Sequence, residues 1–352
     1  MKYYLKGKNF LNSMTMLKIA GNKARNDVEE IVKREGYQAL VLSVDNWYEM
    51  SILKAQLHKS KAFGRALDQL QQGDELLIQF PMLHHSFFTT HLIKKIQKRG
   101  IKVYLLIHDL EVLRNGNLKS IALRHKIRMH FQESSFLNIP DGIIAHNPIM
   151  KSVLVDKGIA ADKIVSLGIF DYLIPNFQEK TGFTKNQPII VAGNLTQEKA
   201  GYLYSLPAEP AYNLYGVGFD ESRALENENY FGSFLPDELP AALEGGFGLV
   251  WDGDSAETCS GDCGEYLRYN NSHKASLYLA SGFPLVVWKQ SALSHFVLEN
   301  GCGIAVDSLQ DLKATIDNLS DTDYQDLVEN TKHVGKGIRD GHYLLTALNN
   351  LK

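Results

Sequence analysis

At 352 residues the chain exceeds an ordinary domain of about 100–200 residues, so two domains are expected. A content of 44% hydrophobic and 22% charged residues is that of a folded globular protein, and a net charge of -3 excludes the basic footprint of a nucleic-acid binder. Three cysteines are too few for a disulfide framework, and no apolar run approaches the roughly 18 residues of a membrane span, so a soluble, cytoplasmic protein with no integral membrane segment is expected.

In the first half, KYYLK (2–6), ALVLSV (39–44), ELLIQF (75–80), KVYLLIH (102–108), GIIAH (142–146) and KIVSL (163–167) read as buried strands. Amphipathic stretches at 24–36, 86–100 and 118–137 read as helices between them, the first with Val28, Ile31 and Val32 on one face. This alternation predicts a parallel sheet covered on both faces. The polar stretch 170–188 breaks the pattern, which restarts with IIVAGN (189–194), AYNLYGV (211–217), YFGSF (230–234), FGLVWD (247–252), PLVVW (284–288) and GIAV (303–306). Helices are expected at 236–244, 273–281, 291–300 and 309–318. The fold class is therefore α/β, with two Rossmann-like domains facing each other across a cleft. The expected division is 1–174, 188–330 and a C-terminal helix over 331–352 that crosses back to the first domain. In such sheets ligands bind beyond the carboxyl ends of the strands.

The segment YLRYNNSHKASLYLASGFPLVVW (266–288) joins a polar loop to a helix starting near His273. The N–H groups at that start, with Lys274 and the Ser276 hydroxyl, suit an anion such as a diphosphate. Tyr269, Asn271 and His273 crowd the same loop. The alternative is an ordinary helix with Ser272 as its N-cap and Lys274 in solvent. A second strand–turn–helix, VAGNLTQEKAG (191–201), carries Gly193 and Asn194 in the turn and Lys199 on the helix, where it is either an anion ligand or a surface lysine. A CxxxC at Cys259 and Cys263 is weak grounds for a bridge or a metal site, and His84, His85 and His91 lack a metal-binding pattern. The loop at 7–22 is long enough to be a lid or an acceptor guide, or to be disordered. No GxGxxG follows the first strand, which disfavours a dehydrogenase.

Two Rossmann-like halves, the G-N-L-x-x-x-K turn and a helix ending A-x-G-x-P before an apolar strand resemble a GT-B glycosyltransferase. NNSHKASLYLASGFPLVVW, with WDGDS upstream and HDLEVLR in the first half, is similar to the bacterial transferases that extend GlcNAc on serine-rich repeat adhesins with glucose from UDP-glucose. That family is also described as galactofuranosyltransferase-like. The resemblance implies a UDP-sugar in the second domain, an acceptor in the first, self-association as a dimer or tetramer, and no metal or other cofactor. Many nucleotide-sugar transferases have GRLxxxKG at the first turn; here Gly193, Leu195 and Lys199 match, with Asn194 in place of the Arg. Tyr215 and Gly216 could face uracil, although Tyr215 also fits a core position. Asp252 could bond sugar hydroxyls, although Asp-Gly is also ordinary turn chemistry.

Retaining members place two glutamates eight positions apart around this helix, at positions that correspond to Tyr269 and Leu277. Neither is acidic, so inversion is expected, which requires a general base on the acceptor side. Asp109, directly after KVYLLIH, is the first candidate and His108 the second; alternatively, Asp109 caps the following helix and pairs with Arg114. A GT-B nucleotide-sugar epimerase and a non-catalytic glycosyltransferase partner are the rival readings.

Overall fold

The strand–helix alternation is realised as two parallel six-stranded sheets in the computed structural model, which describes residues 1–7, 20–44, 50–82, 86, 88–115, 133 and 136–351. Two compact units divide the chain. One comprises Met1–Asn12, Val28–Leu167 and Leu345–Lys352; the other comprises Ser13–Asp27 and Gly168–Leu344. The second unit thus starts ahead of the polar 170–188 stretch and also takes a segment from near the N-terminus.

The first unit contains β1 (Lys2–Gly7), β2 (Gln38–Leu42), β3 (Glu75–Phe80), β4 (Lys102–Ile107), β5 (Gly142–Ala145) and β6 (Ile164–Ser166), in the order β2-β1-β3-β4-β5-β6. Residues 76–80, 103–107 and 142–145 are buried along their whole length, as expected of parallel strands covered on both faces. Val28, Ile31 and Val32 of the helix Ala20–Arg34 are buried, as their spacing predicts. The helix Ile52–Leu67 adds Phe63, Ala66 and Leu67 to the core of this unit. The C-terminus packs here too, since a Cβ on Gly142 would lie 2.6 Å from Leu351 Cδ2. Most of the helix read at 118–137, the loop at 8–19 and both His84 and His85 lie outside the described residues; His91 sits in the helix Thr89–Gln97.

The second unit contains β7 (Ile189–Asn194), β8 (Tyr212–Val217), β9 (Glu228–Tyr230), β10 (Phe247–Val250), β11 (Leu285–Trp288) and β12 (Gly303–Val306), in the order β12-β11-β10-β7-β8-β9. Winding reverses between β7 and β10, the switch point at which doubly wound sheets open a crevice. The strand read at 230–234 is instead Glu228–Tyr230, in register with Tyr212–Leu214 of β8; Phe231 and Gly232 still bond the β8 backbone, and the Phe231 side chain is half-exposed. The loop before Ser272 contains a helix, Gly261–Tyr266, which the glycine-rich sequence hides. The last stretch forms two helices, Asp321–Asp340 and His342–Asn350, separated by a left-handed Gly341.

The helix His273–Ala280 presses closely onto this sheet. Tyr278 is fully buried over Gly248, where an added Cβ would meet its ring at 2.2 Å, and its hydroxyl accepts the Ala192 N–H at 2.6 Å. That contact sets the start of the helix beside the ends of β7 and β10.

Candidate functional site

Two lysines reach the switch point from two short helices. Lys274, second residue of His273–Ala280, donates through Nζ to Asp252 Oδ1 at 2.8 Å and to the Trp251 carbonyl at 2.9 Å. Lys199, in the helix Gln197–Ala200, places its Nζ 3.6 Å from the other Asp252 oxygen. Asp252 follows β10, and its side chain is only 6% exposed. A carboxylate this buried is sustained by its cationic partners. Two lysines and one carboxylate leave an excess positive charge at the strand ends.

The backbone around this group is held open by two paired glycines. Gly193 of β7 stands opposite Gly216 of β8, at φ of 126° and 154°. A Cβ on Gly216 would lie 1.8 Å from the Gly193 carbonyl oxygen, and one on Gly193 would touch the Lys274 stem at 3.6 Å.

Ser272 is the N-cap residue, as the ordinary-helix alternative has it, but makes no side-chain capping bond, and Lys274 is bonded to Asp252 rather than standing in solvent. Three polar atoms here are buried without a hydrogen-bond partner among the described residues: Asn270 Oδ1, His273 Nε2 and Ser276 Oγ. His273 and Ser276 are three residues apart and share a helix face. Burial, and then the nearby Lys23 ammonium, push the His273 pKa down to about 4, so at neutral pH it adds no positive charge. Its ring lies 5.1 Å from that of Tyr172 and 6.1 Å from that of Phe170.

Other residues singled out in the sequence are engaged elsewhere. Tyr215 is core: its ring stacks on Phe231 at 5.0 Å and its hydroxyl accepts the Glu244 N–H, so its face is closed to a uracil. Asn194 closes the turn by accepting the Thr196 N–H at 3.0 Å. Asn271 is buried and donates to the Gly168 carbonyl at 2.5 Å, tying down the loop. Tyr269 lies in the turn after Gly261–Tyr266, with its N–H bonded to the Tyr266 carbonyl. The three cysteines are free.

In the first unit, His108 follows β4 and hydrogen-bonds through Nε2 to Gln79 Oε1 at 2.7 Å. Gln79 is buried in β3, so it fixes the ring from below. Asp109 is 39% exposed and lies 3.4 Å from Arg114, a long and open pair of small energetic weight. Sequence reasoning missed two neighbours. His146, at the end of β5, is pushed down to about 4 by burial and bonds the Ile107 carbonyl at 3.1 Å. Glu133 accepts the N–H groups of Glu111 and Val112, and burial raises it to about 7. In the second unit it missed Lys23, Asp27 and Asp171, all buried. The signal for Gln79 was visible as a lone polar residue inside ELLIQF; an i,i+4 pair such as Lys23 and Asp27 looks like any solvated helix face.

Among the described residues no group of three or more His, Cys, Asp or Glu could hold a metal ion, and no helix is long and apolar enough to cross a membrane.

Residues 8–169 match the family described as glucosyltransferase 3-like, N-terminal domain, and residues 189–351 match its C-terminal domain. The chain is similar to the beta-1,6-galactofuranosyltransferase WbbI of Escherichia coli K12, 33% identical over 347 residues and covering 96% of each protein. It is also similar to glucosyltransferase 3 of Streptococcus gordonii, 26% identical over 325 residues, 91% of this chain and 90% of that one. In fold it is similar to sucrose-phosphate synthase from Thermosynechococcus elongatus, with a TM-score of 0.64 at 10% identity over 99% of this chain and 97% of that one. Anabaena HepE in complex with UDP gives 0.54 at 11% identity over 99% and 98%. Two parallel, doubly wound sheets and these relatives lead to one conclusion: the chain belongs to the glucosyltransferase 3-like family and is a glycosyltransferase of GT-B fold.

Proposed function

We propose that the second unit binds the diphosphate of a UDP-sugar at Lys199 and Lys274, and that the protein transfers the hexose, glucose, to GlcNAc on a glycosylated serine-rich protein with inversion. The convergence of both ammonium groups on one buried carboxylate at the switch point carries this reading. Their charge and the dipole of His273–Ala280 stabilise the leaving diphosphate, so the reading assigns that task to no metal. The UDP in the HepE structure supports the choice of nucleotide for this fold. In the transfer, the acceptor oxygen bonds the anomeric carbon, its proton passes to Asp109, and the bond to the diphosphate breaks with its electron pair leaving on UDP. Leu277 and Tyr269, in place of the retaining glutamates, favour this single displacement. A cytoplasmic dimer or tetramer belongs to the same proposal.

The higher identity to WbbI favours a second reading in which the hexose is galactofuranose. Turnover of UDP-glucose against UDP-galactofuranose, with a GlcNAc-bearing peptide as acceptor, separates the two. The site itself is tested by Lys274→Ala, which removes a charge-assisted contact of about 1.5–3 kcal/mol and should weaken UDP by roughly tenfold or more in calorimetry. Unchanged affinity would sink the assignment.

A further inference from the structure

We propose that Asp252 is a counter-charge which holds the two lysines in the absence of donor, opposes the diphosphate and so limits how tightly UDP is retained. The proposal rests on the donor reading above and assigns Asp252 a role other than bonding sugar hydroxyls.

Both carboxylate oxygens are committed to cations: Oδ1 accepts from Lys274 at 2.8 Å, and Oδ2 lies 3.6 Å from Lys199. Side-chain exposure is 6% for Asp252 and 13% for Lys274, so their interaction is little screened by water. An ammonium has three N–H donors. Lys274 gives one to Asp252 and one to the Trp251 carbonyl, which fixes the direction of the third. The two oxygens of Asp252 draw both ammonium groups to one point. Lys274 lies beside Gly193, where an added Cβ would stand 3.6 Å from its stem.

The same arrangement has a cost once an anion arrives. A diphosphate that contacts the lysines is brought near a buried negative charge and competes with it for the same protons. Substrate and UDP pay this penalty alike, and for a transferase the useful consequence is that spent UDP leaves. Asp252 is a positioning residue by this account. It touches the lysines and no reacting atom.

Asp252→Asn isolates the charge, because the amide oxygen can still accept from Lys274. Calorimetry on the full chain should show UDP bound several-fold tighter in this variant, with uridine, which has no phosphate, unchanged. UDP inhibition of turnover should strengthen by the same factor. UDP affinity that stays the same or weakens would overturn the proposal, and so would unchanged UDP binding with weakened UDP-hexose binding, the signature of a sugar contact. Should Asp252→Asn not fold, the neutral pair Lys274→Gln with Asp252→Asn keeps the hydrogen bond. It should bind UDP more tightly than Lys274→Gln alone, and equal affinities overturn the proposal. If Lys274→Gln binds UDP as the parent does, the donor site itself is misplaced. If it weakens UDP while Asp252→Asn brings no gain, only the role of Asp252 fails.

Discussion

Asp109 and His108 are neighbours at one strand end, yet their surroundings suit different tasks. The Nε2 of His108 is engaged by Gln79, which locks its ring, whereas the Asp109 carboxylate makes a long contact to Arg114 and is 39% exposed. Under the proposed transfer, a partly exposed carboxylate that can approach the acceptor hydroxyl would serve as general base, an effect of about 10²–10⁴ in rate. Asp109→Asn should therefore reduce turnover by about that factor with UDP affinity retained. In the parent, the NMR coupling constant of the product should report a β linkage. Near-normal turnover in the folded variant would move the base to His108. At this scale the sequence singled out the two lysines that meet at Asp252, because a cation near a helix start after a strand carries a mechanism of its own. It did not reveal that Asp252 would join them. Residues 252 and 274 meet only through tertiary packing, and Asp-Gly reads as a turn whatever it faces. For Tyr215 the sequence left both a ligand-facing and a core position open, and the core one is realised because Phe231, sixteen residues on, stacks over it.

At the scale of elements, the strands were legible and the short helices were not. Parallel strands buried on both faces must be apolar along their length, so ELLIQF and IIVAGN announce themselves. Gly261–Tyr266 has two glycines in six residues, and its helical state depends on packing rather than propensity. The pair of strands β7 and β8 is the element on which the site depends. Gly216→Ala forces a side chain onto a left-handed backbone and into the Gly193 carbonyl 1.8 Å away. Strain at such positions is of order 1–3 kcal/mol, and the steric contact adds to it. The strand ends must separate, which also displaces the backbone beside Lys274. The expected result is a lower thermal midpoint together with weaker UDP binding. A variant with the parent's midpoint and UDP affinity would show that the β7–β8 approach is relaxed in solution.

Over the whole molecule, the buried titratable groups pull stability in opposite directions with pH. Burial raises Asp27 to about 6 and both Asp171 and Glu133 to about 7. The folded chain therefore keeps protons that the unfolded chain releases above about pH 4, and these groups lower stability as pH rises from there to about 7. His146 and His273, lowered to about 4, act the other way: the unfolded chain takes up protons below about 6.5 that the folded chain refuses, so their contribution is lost as pH falls. Asp171 is the carboxylate to test, because it ties two stretches of the second unit together by accepting the N–H groups of Tyr343 at 3.3 Å and Leu344 at 2.8 Å. Those backbone donors favour its ionised form, and desolvation outweighs them. Asp171→Asn removes the titration while keeping an acceptor. The stability of the parent minus that of the variant should fall as pH is raised from about 4 to about 7 and level off above that. The total change should be on the order of 1–3 kcal/mol, read from urea midpoints across that range. A difference that stays constant over the range would mean that Asp171 is ionised throughout, with the two backbone N–H groups prevailing over burial.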